Sequence, residues 1–488
     1  MSGIAGTTVP SEMKWVAEAL ETMRHRGGSG TRVVQKQGAA LGQVWTSARE
    51  CLLRSDEEPS VVLDGQIHNW PDLSPGATSP LEAIAQAYRD EGPGFLSHLD
   101  GHFALAIVAE DGLLLARDPR GVAPLYYSPN CGICFASEVK ALARLGGPAV
   151  ELPPGHWYHS QRGLHCYATL DRPVEFKAPA EDLARQLRYH LVRAVRKCVS
   201  AGAVGAWLSG GLDSSTIAAI AQRQTAELHT FAVGLDGAPD LHYAQVVADF
   251  VGSRHHEHRC SPGELLKLLP QVIYHLESFD ALLVRSSLVN YLAGKIASDY
   301  VSVVLSGEGG DELFAGYSYL KNVPGPKLEE ELLDILGRLH NTALQRVDRC
   351  SKAHGVVAQV PFLDQDVVAF ARRIPVEYKL SAETGMVEKW ILRRAMDGLL
   401  PPDVLARPKA KFWEGAGVQE ILHDHAETVV SDADFRAERQ LPDGSALNSK
   451  EELLYYRLFR EAFGELSSLA FVGRTKGVPT PSQPPGGP

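Results

Sequence analysis

The sequence predicts an α/β protein with two domains, first a pair of stacked antiparallel sheets and then a doubly wound parallel sheet with extra helices. The chain has 488 residues, which is more than a single hydrophobic core usually serves. Residues 1–170 contain many short apolar segments separated by Gly, Pro and Asn, as in antiparallel sheets. From residue 182 onward, strand-like and helix-like segments alternate, which indicates parallel βαβ units.

In the first domain, the apolar spacing predicts one early helix over residues 11–24. Residues 61–63 are predicted to form a strand that ends in an Asp-Gly turn at 64–65. Residues 103–108 are predicted to form another strand, which ends before the Asp-Gly turn at 111–112.

Prolines and charges interrupt the strand pattern at residues 169–181, so we place the domain boundary there and assign residues 182–472 to the second domain. After Asp182, apolar residues at helical spacing predict a helix. Strands are then predicted at 203–208, 228–235, 254–259 and 301–306, and helices at 214–223, 242–251, 263–277 and 288–298. Most of 326–350 and 388–465 is predicted to be helical, and the Pro-, Gly- and Ser-rich segment 473–488 to be a disordered tail.

Composition narrows the class of protein. A formal net charge of −11 argues against a nucleic-acid partner, which would favour a basic surface. The chain has no apolar run of membrane-spanning length, and residues 1–30 lack a signal-peptide core. Seven scattered cysteines suggest a reducing compartment. We therefore expect a cytoplasmic enzyme without a membrane partner.

A glycine-rich loop follows the predicted strand 203–208 and precedes an apolar helix. Its glycines let the backbone approach an anion, and the helix N-terminus presents free N–H groups. Its hydroxyls and one carboxylate could hold pyrophosphate oxygens and a magnesium ion together. It has neither a Walker ending nor a dinucleotide fingerprint, and a plain glycine turn is the alternative interpretation. The loop consists of Leu208, Ser209, Gly210, Gly211, Leu212, Asp213, Ser214 and Ser215.

A second glycine-rich loop, residues 306–317, follows the predicted strand 301–305 and reads Ser-Gly-Glu-Gly-Gly-Asp-Glu-Leu-Phe-Ala-Gly-Tyr. Two such loops at the carboxyl ends of parallel strands can face one crevice of the sheet, where these folds bind ligands. Asp213 and Asp311 would then bring one carboxylate each toward a shared Mg2+ ion.

These loops and four further segments resemble the asparagine synthetases, in a match from residue 3 to about residue 465. The further segments are 231–235 (Phe-Ala-Val-Gly-Leu), 360–364 (Val-Pro-Phe-Leu-Asp), 388–393 (Glu-Lys-Trp-Ile-Leu-Arg) and 407–409 (Arg-Pro-Lys). The first loop also resembles the SGGxDS loop of ATP pyrophosphatases. The resemblance implies an αββα sandwich of the N-terminal-nucleophile type, followed by a parallel sheet of the ATP pyrophosphatase type.

The resemblance implies that ATP and Mg2+ are used to adenylate a substrate carboxylate, which an amine then attacks to release AMP. Leu208 and Val233 would pack against adenine, with Gly234 beside them, and Ser306 and Gly307 would meet the nucleotide through their backbone groups. We expect the substrates to be aspartate or an aspartate-like acid and either ammonia or another amine, and we allow for a homodimer.

The remaining candidate residues surround the predicted reacting groups. Lys409, with magnesium on Asp213 and Asp311, would neutralise pyrophosphate. Glu308 would orient or deprotonate the amine. Arg285 is a candidate to pair with a substrate carboxylate, and Tyr317 is a further candidate for substrate binding.

Two family segments are altered near the predicted acid site. The segment that reads roughly Asp-x-Thr-Thr in the family is 280–283 here, with Leu282 and Leu283 in place of two hydroxyls. The family's Glu-Ala-Arg before Val-Pro-Phe-Leu-Asp is 357–359, Val-Ala-Gln. Some asparagine synthetase relatives share the two leucines. The charges lost at 357 and 359 can indicate a different acyl acceptor.

The first domain keeps the frame of the family's glutaminase but not its reacting group. The family nucleophile is a cysteine exposed by removal of the initiator Met, and this chain has Ser2, a weaker nucleophile. The family's Asn-Gly-Glu turn is Asp64-Gly65-Gln66, and residues 41–47 offer no counterpart of the arginine that binds the glutamine carboxylate. We therefore predict a degenerate domain without glutaminase activity.

Two other functions remain open at this point. The β-lactam synthetases also lack the N-terminal cysteine and close a ring within one substrate, but they carry tyrosine where this chain has Glu308. A catalytically inactive scaffold is the other alternative, against which the charged residues retained in both glycine loops argue.

Overall fold

The structure is a computed structural model that describes residues 2–36, 38–46, 59–129, 132–171, 174–199, 202–381, 385–409 and 412–476. Ser47, the last residue of the segment searched for an arginine, lies outside the described residues.

Two antiparallel sheets form the first domain, as the sequence predicts. The strands are β1 (Ser2–Thr7), β2 (Gly30–Lys36), β3 (Ala39–Trp45), β4 (Ser60–Ile67), β5 (Gly101–Ala109), β6 (Gly112–Arg117), β7 (Tyr126–Ser128), β8 (Cys134–Ala136), β9 (Val150–Glu151), β10 (His156–His159) and β11 (Gly163–Cys166). The sheet orders are β2-β3-β1-β8-β7-β9 and β11-β10-β6-β5-β4. The helices are α1 (Trp15–Thr22), α2 (Trp70–Leu73), α3 (Pro80–Glu91) and α4 (Val139–Ala143).

Alternating side chains explain the four-layer arrangement of this domain. On β5, Ala104 and Ala106 pack with Ile4 of the other sheet, whereas Leu105 packs on the opposite face with Ile84 of α3. Helices α1 and α4 contact the first sheet and α3 contacts the second. The layers are therefore helix, sheet, sheet and helix.

Two local predictions in this domain need correction. The predicted turn at 64–65 is wrong, because β4 continues to Ile67 and Gly65 pairs with Phe103. A Cβ at Gly65, where φ is +121°, would lie 2.1 Å from the carbonyl oxygen of His102, so glycine serves close strand contact there. The early helix is also shorter than predicted, since α1 is preceded by a separate 3-10 turn at Pro10–Glu12.

A parallel sheet forms the core of the second domain. Its strands are β12 (Val204–Trp207), β13 (Leu228–Leu235), β14 (Arg254–Cys260), β15 (Val303–Leu305) and β16 (Val357–Gln359), and a separate hairpin consists of β17 (Leu380–Ser381) and β18 (Val387–Glu388). The order of the large sheet is β14-β13-β12-β15-β16, with every pair parallel. The chain leaves β12 toward β13 on one side and returns to β15 on the other, so the loops after β12 and β15 flank the switch point of the sheet.

Helices cover this sheet and extend beyond it. They are α5 (Ala180–Cys198), α6 (Leu212–Gln222), α7 (Pro239–Val251), α8 (Pro262–Leu276), α9 (Ala281–Ala297), α10 (Gly310–Leu313), α11 (Gly325–Gly337), α12 (Ala343–Lys352), α13 (Gln365–Arg372), α14 (Val376–Lys379), α15 (Trp390–Ala395), α16 (Pro402–Ala406), α17 (Phe412–Gly415), α18 (Gln419–Val429), α19 (Asp432–Glu438) and α20 (Lys450–Phe463). No helix in the described ranges is long and apolar enough to span a membrane.

Helix α9 begins seven residues before the predicted start at 288, because Asp280 caps it. The Asp280 carboxylate accepts a hydrogen bond from the Leu283 backbone N–H at 2.9 Å. This early start places Leu282 and Leu283 on a helix.

The segment 473–476 is ordered, contrary to the prediction of a disordered tail from 473. The Thr475 backbone N–H donates to Asp280 at 3.1 Å, Arg474 pairs with Glu452 at 2.8 Å, and Lys476 pairs with Glu331 at 2.7 Å. These polar contacts hold a segment that has no apolar period to reveal it. Residues 477–488, the rest of the predicted tail, lie outside the described residues.

Candidate active site

The two glycine-rich loops meet, as the sequence predicts. Helix α6 begins after Gly211 without a side-chain cap, so its first N–H groups face outward as an anion site requires. Asp213 lies in the first turn of that helix and is buried against the second loop. A Cβ at Gly310 would lie 2.6 Å from the Asp213 carboxyl carbon, so only glycine permits this approach.

Two lysines hold the pair of aspartates. The Nζ atom of Lys389 contacts the Asp213 carboxylate and lies 2.5 Å from that of Asp311. The Nζ atom of Lys409 lies 2.6 Å from the other oxygen of Asp311. Lys389 adopts the left-handed conformation, with φ of +56°, directly after the β17–β18 hairpin, and this turn brings its ammonium between the loops.

The electrostatics of this group follow from burial and pairing. Burial alone would raise the pKa of Asp311, but Lys389 and Lys409 outweigh it and hold that pKa at about 2. Burial raises the pKa of Asp213. Burial opposes the charge of Lys409, yet Asp311 and Asp213 keep its pKa above the ordinary value. Two carboxylates and two ammonium groups therefore balance one another in a buried site.

The aspartates suit a magnesium ion that phosphates help to hold. Asp213 Oδ1 is buried and has no hydrogen-bond partner among the described residues, which leaves a hard oxygen for a cation. The described residues contain no cluster of three or more metal-binding side chains. Mg2+ is usually held by one or two carboxylates together with substrate phosphates, so two aspartates are sufficient.

A cleft with an empty volume of about 1070 Å3 opens between the loops, and we call it the loop cleft. Most of the predicted nucleotide and catalytic residues line it, namely Leu208, Ser209, Gly211, Leu212, Asp213, Ser214, Val233, Ser306, Gly307, Glu308, Asp311 and Lys409.

Three residues predicted to bind the nucleotide lie behind the cleft wall among the described residues. At Gly210, where φ is +67°, a Cβ would lie 2.3 Å from that of Tyr243, so this glycine serves packing. Ser215 is fully buried, and Gly234 packs against Ala238. These three positions pack within the loop and the strand and do not line the loop cleft.

Sequence reasoning missed several cationic residues of the loop cleft. Lys389, Arg346, Arg393 and Arg407 all line it. Arg407 donates to the carbonyl oxygen of Ser209 at 3.0 Å and pairs with Asp240 at 2.6 Å, which fixes the first loop from behind. Lys389, Arg393 and Arg407 lie in the segments 388–393 and 407–409. The resemblance of these segments to the family could therefore have identified the three residues as part of the site.

Glu308 lies where the loop cleft joins a second cavity, and its carboxylate pairs with Arg346. Its side chain is 24% exposed. Tyr317 also lines the second cavity and donates from its hydroxyl to Glu312 at 2.5 Å. Burial, followed by the charge of Asp311, raises the pKa of Glu312 to about 8.

The structure does not bring Arg285 to the site. Its guanidinium is bound to Glu451 of α20, with Nε 2.9 Å from Oε1, and the Tyr455 hydroxyl donates to the same carboxylate at 2.9 Å. The residues of α9 that line the two cavities within the described ranges are Leu282, Leu283, Ser286, Asn290 and Ala293, and Arg285 is not among them. The predicted pairing of Arg285 with a substrate carboxylate is therefore not supported by the geometry.

Ser2 is enclosed within a buried network of charges. It is 5% exposed, and its hydroxyl donates to the carbonyl of Leu63 at 3.1 Å and to Asp64 at 3.2 Å. Arg26 pairs with Asp64 at 2.7 Å and with Asp348 of the second domain, also at 2.7 Å. The family's asparagine position thus carries a charge here that is neutralised within the protein.

Lys352 extends from the second domain into this network. Its Nζ atom lies 2.8 Å from Asp64 and 3.0 Å from Asp348. Burial would raise the pKa of Asp64, but Lys352 and then Arg26 outweigh it and lower that pKa. The Nζ atom of Lys352 also lies 3.5 Å from the backbone carbonyl oxygen of Ser2, so a cation of the second domain lies directly beside that residue.

A second contact between the domains joins two altered family positions. Gln359 donates from its side-chain amide to Gln66 at 3.0 Å. The family has arginine and glutamate at these positions, so a neutral pair replaces two charges.

Comparison with known proteins agrees with both halves of this description. The asparagine synthase family matches residues 186–329 and 321–477, and the glutamine amidotransferase domain family matches residues 1–156. A protein from Schizosaccharomyces pombe, described as a probable glutamine-hydrolysing asparagine synthetase, is 36% identical over 90% of this chain and 89% of its own. The glutamine-hydrolysing asparagine synthetase 2 of Arabidopsis thaliana is 35% identical over 88% of this chain and 79% of its own. The glutamine-hydrolysing asparagine synthetase B of Escherichia coli is 34% identical over 92% of this chain and 88% of its own.

Fold, loops and comparisons together define an ATP-dependent carbon–nitrogen ligase with an amidotransferase-type first domain. The chain belongs to the asparagine synthase family, whose members form AMP and pyrophosphate.

Asp311→Asn should abolish ATP–pyrophosphate exchange, because it removes a charge that faces both Lys389 and Lys409. Exchange and thermal unfolding would be measured together, and the variant should still fold. Asp236→Asn is the matched control, since Asp236 is 85% exposed and pairs with the exposed Arg259. Exchange within about twofold of the parent for Asp311→Asn would contradict the assignment.

Lys352→Met should lower the stability of the protein, because it leaves Asp64 and Asp348 buried with one cation fewer. Breaking a buried pair costs about 3–5 kcal/mol, which urea unfolding would detect. Arg259→Met, which removes an exposed cation, should leave the unfolding midpoint unchanged. Equal midpoints for Lys352→Met and the parent would show that the buried network contributes nothing to stability.

Proposed function

We propose that the chain is an AMP-forming amide ligase that adenylates a carboxylic acid and transfers the acyl group to ammonia or another amine, without hydrolysing glutamine. The observation that carries the first part is the pair of glycine loops with Asp213 and Asp311 between Lys389 and Lys409. The observation that carries the second part is the enclosure of Ser2 by Asp64, Arg26 and Lys352.

In the first step, an oxygen of the substrate carboxylate attacks the α-phosphorus of ATP, and the bond to the β-phosphate breaks with its electrons on pyrophosphate. The free N–H groups at the start of α6 and the hydroxyls of Ser209 and Ser214 lie at the cleft to hold the leaving pyrophosphate. Lys409 and Lys389 supply positive charge where negative charge develops. When bound, magnesium on Asp213 and Asp311 would add further neutralisation of the phosphates.

In the second step, the amine nitrogen attacks the acyl carbon, the bond to AMP breaks, and the nitrogen loses a proton. Glu308 lies at the junction of the two cavities, within contact of Arg346, where it can accept that proton. Glutamate at position 308, where the β-lactam synthetases carry tyrosine, favours ligation of a separate amine over ring closure within one substrate.

Three features support the absence of glutamine hydrolysis. Ser2 is a weaker nucleophile than the family's cysteine, and its hydroxyl is committed to Leu63 and Asp64. Gln66, at the family's glutamate position, is bonded to Gln359 rather than free for a ligand. Lys352 adds a charged side chain from the other domain beside the same residues. The relatives named above are described as glutamine-hydrolysing, so this is a proposed departure from them.

Glutamine labelled with 15N in its amide should transfer no label to product, whereas labelled ammonium or the natural amine should support AMP release. The reason is that residue 2 carries a hydroxyl instead of a thiol and that Asp64 beside it is already paired with Lys352. Mass spectrometry of the product and of free glutamate would be compared in the same reaction.

Ser2→Cys is the informative variant for this test. It should not restore glutaminase activity, since Asp64, Gln66 and Lys352 would be unchanged. Label transfer from glutamine in the native chain would show that Ser2 is a working nucleophile and would refute this part of the proposal.

A further inference from the structure

The second cavity adjoins the loop cleft and shares Glu308, Asp311, Arg346 and Lys409 with it. Its empty volume, which includes space open to solvent, is about 940 Å3. We call it the leucine cavity, after Leu282 and Leu283 in its wall. A molecule in this cavity can extend one end to Lys409 and Glu308, where the proposed reaction occurs.

One wall of the leucine cavity is apolar. Leu282 and Leu283 of α9 contribute to it, and Leu339, Ala343 and Trp413 line it as well. Ser286, on the same turn of α9, donates its hydroxyl to the carbonyl oxygen of Leu283 at 3.0 Å. The helix therefore presents hydrocarbon to the cavity at the positions where the family segment has two threonines.

The cations around the leucine cavity are already paired with carboxylates of the protein. Arg338 lies 3.0 Å from Asp334, Arg474 lies 2.8 Å from Glu452, and Lys476 lies 2.7 Å from Glu331. A second carboxylate on a ligand would therefore have to share one of these cations with a carboxylate of the protein.

Aspartate would be a poor fit for this arrangement. Besides the carboxylate that reacts, it carries an ammonium and a second carboxylate, and a charge that is buried without a partner is costly. A hydrocarbon or aromatic body would instead gain from burial against the leucines and Trp413.

We infer that the leucine cavity binds the body of the acid substrate, and this inference rests on the proposed adenylation. The acid then has an apolar or aromatic body rather than the charged body of aspartate. Its reactive carboxylate would lie toward Lys409, and Leu282 and Leu283 would determine the specificity.

The test is ATP–pyrophosphate exchange, which reports the acid alone because no amine is needed. L-Aspartate, hexanoate and 3-phenylpropionate are the probes. We expect 3-phenylpropionate or hexanoate to give a kcat/KM at least about tenfold above that of aspartate. Exchange with aspartate that equals or exceeds exchange with both apolar acids would overturn the inference while leaving the proposed function intact.

Leu282→Thr, alone and with Leu283→Thr, restores the family's hydroxyls and should shift the preference toward aspartate. The single variant is included because Leu283 is only 3% exposed and the double variant is at greater risk of misfolding. Val429→Thr, at an exposed position on α18, is the matched control and should change none of the values. An unchanged ratio of the acids in a folded Leu282→Thr variant would overturn the specificity assignment.

Two further outcomes distinguish a failure of this inference from a failure of the proposed function on which it rests. If 3-phenylpropylamine stimulates AMP release only when aspartate is the acid, the cavity holds the amine and the inference is wrong. If a broad panel of carboxylic acids supports neither exchange nor AMP release, adenylation itself is refuted, and the proposed function falls together with the inference.

Discussion

Two carboxylates buried side by side are the constraint on which the second domain depends. Asp213 and Asp311 lie at the carboxyl ends of neighbouring strands, and both contact Lys389. Because a buried charge must be paired, the ammonium group of Lys389 has to lie beside both carboxylates, although Lys389 is far from each of them in the sequence. The left-handed turn at Lys389, the absence of a Cβ at Gly310 and the close approach of the two loops all follow from that requirement.

Buried charges at the boundary between the two domains must also be paired. Arg26 and Asp64 of the first domain and Lys352 and Asp348 of the second form one buried network, in which each cation also pairs with the carboxylate of the other domain. Helix α12 carries Asp348 and Lys352 into that network and also carries Arg346, which pairs with Glu308. The first domain therefore helps to position a helix of the second domain.

Sequence reasoning recovered the features that depend on local pattern. The two loops, the parallel sheet and most residues of the loop cleft follow from glycine spacing and from apolar segments of strand length. It failed where a partner lies far along the chain. Lys352 is 288 residues from Asp64, and no local pattern reveals that pair.

The family resemblance and the local composition each led to an expectation that the structure does not support. Arg285 follows the family segment, yet Glu451 already binds it, and only the packing of α20 on α9 reveals this. The pair Asp64-Gly65 has the composition of a turn, but its strand register and its partners Arg26 and Lys352 place it inside β4. Residues 473–476 have no apolar period and are held by hydrogen bonds, ion pairs and the contact of Arg474 with the ring of Phe279.

The central claim is that the acid becomes an acyl adenylate at the two loops, and the fate of the carboxylate oxygen tests it most directly. An acid that supports pyrophosphate exchange would be labelled with 18O in its carboxylate and converted to the amide. The account predicts that one 18O atom appears in the phosphate of AMP, because the C–O bond of the adenylate breaks when the amine attacks. Label in inorganic phosphate, with ADP as the nucleotide product, would contradict it.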